Sequence, residues 1–90
     1  MTAPLSLGRV LTTPGALRIL DESGGCALDL LVRHASGDWG DLCASDRCEN
    51  GLALRHGRRV LSSYAVGNDR IWVITEADRS VTTILLPEEY

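Results

Sequence analysis

Lysine is absent from this 90-residue chain, so all nine of its basic residues are arginine, and twelve acidic residues leave a formal charge of −3. Nonspecific nucleic-acid affinity comes mostly from counterion release at a basic surface, and the one local concentration here is Arg55, Arg58 and Arg59 around His56. A polybasic binder is therefore excluded. The net charge is equally too weak for a DNA mimic on electrostatic grounds alone. No uncharged apolar run is long enough for a membrane span, which excludes a membrane role of that kind. The start, Met1-Thr2-Ala3-Pro4-Leu5, lacks a basic segment followed by an apolar stretch, so no secretory signal is read and the expected compartment is the cytoplasm. Cysteine is scarce and odd in number; three thiols fit a reduced protein better than a disulfide framework. Neither Gly-x-Gly-x-x-Gly nor a phosphate-cradling loop ending in Gly-Lys-Ser/Thr occurs.

What is present is ordinary globular material, 44% hydrophobic and 23% charged. The length predicts one domain over residues 1–90, since two units would each approach the size at which folding needs staples. A core this small is marginal, and a dimer, partner or ligand would support it.

The pattern divides into a helical half, about residues 13–57, and a β-meander, about 59–86. Leu5 to Leu11 reads as a short strand or arm interrupted by Gly8. Thr13 before Pro14 is an N-cap followed by a first-turn proline, and the spacing predicts a helix from Pro14 to Glu22, stopped by Gly24-Gly25. A second helix, Ala27 to Arg33, places Leu28, Leu31 and Val32 on one face and an Asp29–Arg33 ion pair on another. Ser36 to Asp41 has turn chemistry around Trp39 and predicts an ordered loop with His34 just before it. Leu42 to His56 is loosely helical, with Ser45 able to cap it and Gly57 suited to its end, although Gly51 weakens its second half. From Arg59 the period becomes two. Val60–Val66, Ile71–Thr75 and Val81–Leu86 are rich in β-branched residues and separated by turn sequences. The expected fold is α+β, with short N-terminal helices packed on a three-stranded, or four-stranded, antiparallel meander.

Two groups of side chains could carry chemistry. A metal-independent nuclease needs a base, a cation for a phosphate and hydroxyls that orient the substrate. His34 or Glu76, Arg79, and Tyr64 with Thr83 can fill those roles, and Asp38, Trp39, Asp41, Ser62, Asp78 and Thr82 form the surrounding candidate binding set. Read structurally, Glu76 to Arg79 is a charged turn, Asp38 and Asp41 cap the next helix, and Trp39 fills the core. His34, Cys43, Cys48 and His56 are possible zinc ligands, but only the two cysteines are close, with four residues between them, so buried small hydrophobes are the better expectation and no metal or other cofactor is expected. Ser62 and Ser63 lie mid-strand, away from any nucleophile elbow. Leu85 to Tyr90 ends the meander, and an exposed strand edge there would suit a homodimer or a partner, unless the N-terminal arm covers it.

The strings HASGDWGDLCASDRCENGLAL, RVLSSY and IWVITEADRSVTTILLPEEY resemble those of a family of small proteins carried on bacterial plasmids, integrative elements and genomic islands, described as plasmid-related or as a type I restriction subunit M. The likeness runs from about Leu5 to Tyr90. A methylation subunit needs a cofactor-binding α/β domain that this chain is too short to hold, so the resemblance implies a setting among defence and counter-defence genes. The expectation is a non-enzymatic interaction protein that binds a protein partner of a restriction or CRISPR system. A weaker similarity is to the barnase/EndoU/colicin/RelE group of ribonucleases, which would make RNA the substrate, with Asp78, Arg79 and Thr82 or Thr83 at the turn. The meander carries no histidine to act as general acid, and the chain is acidic where stand-alone toxins are usually basic.

Overall fold

The computed structural model describes residues 5–90; the Met1–Pro4 start, in which no signal segment was read, lies outside that range. The described residues form an α+β arrangement in the order β1 (Arg9–Thr12), α1 (Pro14–Ser23), α2 (Ala27–Ala35), α3 (Ala44–His56), β2 (Val60–Val66), β3 (Asp69–Thr75), β4 (Val81–Leu85) and a 3-10 turn (Pro87–Glu89).

The sheet is mixed, in the order β1-β4-β3-β2. Strands β2, β3 and β4 pair antiparallel in succession, and β1 joins β4 in parallel, Arg9 beside Val81 through Thr12 beside Ile84. This corrects the expected open edge at the C-terminal strand. Strand β4 is internal because the segment before α1 already occupies that side, with Arg9 N–H donating to Ser80 O and Thr13 N–H to Ile84 O, both at 2.9 Å.

Pairing register sorts the side chains onto two faces. Ser62, Tyr64, Ile71, Val73, Thr75, Thr82 and Ile84 point to one, where the apolar ones pack with Ala16 and Leu20 of α1 and Leu30 of α2. The other carries Leu61, Ile74, Thr83 and Leu11 in one row and Trp72 beside Leu85 in the next. Tyr90 returns over that second row, its ring edge-on to Trp72 at 5.8 Å, with the Arg59 guanidinium 5.1 Å from the Tyr90 ring centre.

Helix α1 begins as its sequence dictates: the Thr13 hydroxyl accepts from Ala16 N–H at 3.2 Å, and Gly24 in the left-handed region ends it. Helix α2 departs from expectation. It buries Leu30 and His34, one turn apart, and turns Leu28 and Val32 outward at 64% and 59% exposure. Arg33 pairs with Asp38 at 2.7 Å, not with Asp29, because the loop after α2 folds back over the last turn of the helix. Helix α3 starts after Cys43, without a side-chain cap, and turns only Asn50 and Ala53 inward. Its cysteines, like Cys26, are consequently exposed and not the buried hydrophobes their spacing suggested.

Candidate functional site

His34 ends α2 on its inward face and is fully buried. Its Nδ1 lies 2.5 Å from Ser62 Oγ and its Nε2 lies 2.8 Å from Thr75 Oγ1. Thr75 Oγ1 in turn lies 2.7 Å from Thr82 Oγ1, which donates to the Leu7 carbonyl at 2.7 Å. Each hydroxyl has one proton, so the chain has a direction. The Thr82 proton goes to Leu7 O, which leaves Thr75 to donate to Thr82 and His34 Nε2–H to donate to Thr75. Nδ1 is then the acceptor for Ser62. The imidazole is neutral, with the proton on Nε2 and both nitrogens engaged. Burial pushes its pKa down to about 4, and the positive charge of Arg79 adds to the shift.

Strands β3 and β4 pair Thr75 with Thr82, and Ser62, which pairs with Val73, lies diagonal to Thr75 on the same face of the sheet. His34, one turn beyond Leu30, reaches Ser62 and Thr75 of this hydroxyl patch directly, and Thr82 only through Thr75. Thr75 belongs to the patch as fully as the expected Ser62 and Thr82, and its alternation with Ile71 and Val73 on β3 is the signal for it.

Tyr64 is anchored at the same sheet face. Its hydroxyl donates to Asp38 O at 2.6 Å, the Arg33 guanidinium carbon sits 4.5 Å from its ring centre, and burial raises its pKa. Asp38 accepts from Arg33 Nε and, at 3.2 Å, from Gly40 N–H, which hold its carboxyl below the usual range. It does not cap α3. Trp39 and Asp41 run alongside β2: Ser63 N–H donates to Trp39 O at 3.1 Å and Asp41 N–H donates to Ser63 O at 2.7 Å. Trp39 is half-buried beside this edge, and the Asp41 carboxylate pairs with Arg70 at 3.3 Å. Arg47 closes the loop from the α3 side by donating to Gly40 O and Leu42 O.

Arg79 lies in the β3–β4 turn with a φ of 63°. Its guanidinium donates to three carbonyls, Arg58 O at 2.6 Å, Glu76 O at 3.1 Å and Ala53 O at 3.2 Å. It thereby fastens the end of α3 to the turn. Asp78 folds onto Ser80, accepting from its amide at 3.0 Å and its hydroxyl at 2.6 Å, and both bonds hold its pKa low. Glu76 is exposed, and Thr83 points to the sheet face opposite His34.

The proposed base, cation and hydroxyls therefore do not line one open cleft. His34 and Tyr64 share the inner face, Thr83 is across the sheet, and Arg79 is spent on main-chain carbonyls. A depression of about 210 Å³ lies elsewhere, between α1 and the β2–β3 turn, lined by Ile19, Glu22, Ser23, Val66 and Asp69 among others.

No known protein family, curated protein or solved structure matches the chain. Its chemistry is read from its own side chains. Among the described residues no group of three or more His, Cys, Asp and Glu side chains is placed to hold a metal ion, and no helix is long and apolar enough to cross a membrane.

Proposed function

We propose that this chain acts by binding a protein, without catalysing a reaction of its own. The observation that carries the reading is the state of His34. An imidazole that is fully buried, neutral and bonded through both nitrogens reaches no substrate proton. Arg79, the cation that an RNA phosphate would need, already satisfies three carbonyls. The surface in turn offers Leu11, Leu28, Val32, Leu54 and Tyr90, all more than two-fifths exposed, as contact material. The resemblance to proteins of plasmids and integrative elements makes a component of a host restriction or CRISPR system the partner to test first.

The experiment pairs two readouts. Transformation by an unmodified plasmid is measured in strains with an active type I restriction system or active CRISPR interference, with and without the chain expressed. Purified chain and its Arg79→Ala variant are incubated with total RNA. The expected result is a rise in transformation of tenfold or more in one strain and intact RNA throughout. Unchanged transformation in both strains, or RNA cleavage that disappears with Arg79→Ala, overturns the reading.

A further inference from the structure

The two edges of the sheet are finished differently. Along β2 the outward peptide of Leu61 is bonded on both sides by the Asn50 carboxamide, and that of Ser63 by Trp39 and Asp41. Along β1 nothing comparable exists among the described residues. Arg9 N–H and Thr13 N–H face β4, so by alternation the N–H and C=O groups of Val10 and Thr12 face outward. Val10 is 39% exposed and Leu11 49% exposed. An apolar strand edge with free peptide groups is the feature that soluble proteins ordinarily pair, cover or charge.

We infer that β1 pairs with β1 of a second copy of this chain, antiparallel about a two-fold axis through Leu11, to make one continuous sheet. The register follows from which groups are free. Placing Val10 opposite Thr12 of the second copy, and Thr12 opposite its Val10, puts outward peptides against outward peptides. Directly opposed residues of that kind exchange both of their hydrogen bonds, so four are formed. Leu11 then meets Leu11 of the second copy on the axis. This extends the row of Leu61, Ile74, Thr83 and Leu11 across the junction on the face opposite His34.

Charge favours the same partner. The register sets Arg9 opposite Thr13 of the second copy. The Thr13 hydroxyl donates to Glu89 Oε1 at 2.6 Å, so each Arg9 approaches a carboxylate and the two arginines stand apart. A two-fold contact repeats this pair, because both copies offer the same surface. The edge recognises another β1, not a general apolar ligand.

Sedimentation equilibrium of the full chain over a wide concentration range tests the association. The expected mass rises from 9.7 kDa toward double that value. Val10→Pro removes an outward N–H while leaving the ladder to β4 intact, and is expected to return the mass to that of the monomer with unchanged circular dichroism. The register is tested by cross-linking in a background carrying Cys26→Ser, Cys43→Ser and Cys48→Ser. Opposed residues on the axis have Cα atoms about 4.5 Å apart, inside the range of about 4.4–6.8 Å that a disulfide spans. Leu11→Cys is expected to form a covalent dimer on air oxidation, and Leu17→Cys, just as exposed on α1, to stay monomeric. A monomer at every concentration overturns the inference, as does a dimer that persists in Val10→Pro. Equal cross-linking by Leu17→Cys, or coupling of Leu11→Cys to some other protein in cells and not to itself, overturns it too. None of these readouts depends on a defence system, so the inference and the proposed function fail separately.

Discussion

The Asn50 carboxamide and the Leu61 peptide face each other as two strands would: Asn50 Nδ2 donates to Leu61 O at 2.6 Å, and Asn50 Oδ1 accepts from Leu61 N–H at 3.1 Å. A helix side chain thus stands in for a missing neighbour of β2. Asn50 is nearly buried, so its loss leaves a peptide without partners and without ready access to water. Asn50→Ala is expected to cost about 1–3 kcal/mol in urea unfolding. Asn50→Asp should cost more, because a carboxylate cannot donate to Leu61 O and would face it with like partial charge. Equal stability of wild type and Asn50→Asp would remove the edge-capping role.

Acid should destabilise the protein through His34. Its folded pKa is about 4, against 6.5 for the free side chain. Between those values the unfolded chain binds a proton that the folded chain refuses, so stability is full above about pH 6.5 and falls as the pH drops toward about 4. The whole fall is on the order of 3 kcal/mol. Hydrogen bonds hold the Asp38, Asp78 and Glu89 carboxyls below their ordinary values of 3.8 for Asp and 4.5 for Glu, so their contributions are lost as the pH falls from those values downward, and the Glu89 loss overlaps the acid end of the His34 window. Urea midpoints followed across this range should show the slope in wild type and lose it in His34→Gln. Nitrogen chemical shifts of the imidazole should report the proton on Nε2 at neutral pH, and a proton on Nδ1 would refute the assigned direction of the hydroxyl chain.

Thr75 sits in the middle of that chain. Thr75→Val keeps the shape and removes the acceptor of His34 Nε2–H and the donor to Thr82. A loss of about 1–3 kcal/mol is expected, with Thr75→Ser close to wild type. The double variant with Thr82→Val should lose less than the sum of the two single losses, by about 0.5–3 kcal/mol. Strict additivity in the cycle would mean that the hydroxyls act independently.

Gly40 and Gly24 have nearly the same φ, 71° and 72°, in very different surroundings. A Cβ on Gly24 meets nothing, whereas one on Gly40 would run into Ser63 O and lie 2.7 Å from Tyr64 Cδ1. Gly24→Ala should therefore cost only the left-handed backbone term of about 1–2 kcal/mol. Gly40→Ala should cost at least twice as much and detach the Trp39–Asp41 segment from β2. Thermal melts give the ranking, and faster hydrogen exchange at the Ser63 and Asp41 amides locates the damage. Similar losses for both variants would contradict the close approach at Gly40.

Local rules carried much of the fold. Thr13-Pro14 and Gly24 bounded α1, Gly57 ended α3, and the change to a period of two at Val60 marked the strands, because caps, turns and β-branched runs act within a few residues. Spacing alone leaves the buried face of α2 undecided, because Leu28, Leu31 and Val32 form an apolar stripe as good as Leu30 with His34; of that stripe only Leu31 packs against the core. Which stripe is buried depends on the hydroxyls of Ser62, Thr75 and Thr82 on the facing side of the sheet, where Ser62 and Thr75 offer the imidazole bonding partners that a leucine could not use.

By itself, then, the sequence determined an α+β chain, the bounds of most of its elements, and a set of polar side chains gathered in one helix end, one loop and three strands. Only the tertiary structure decided that His34 and its hydroxyls are a sealed internal chain, that Arg79 is occupied by carbonyls, and that β1 lies parallel to β4 with its outer side unpaired among the described residues. Those outcomes rest on contacts between residues far apart in the chain, such as Leu7 with Thr82 and Thr13 with Ile84. Spacing along a sequence sets which face a side chain takes within its own element; it does not set which element arrives opposite.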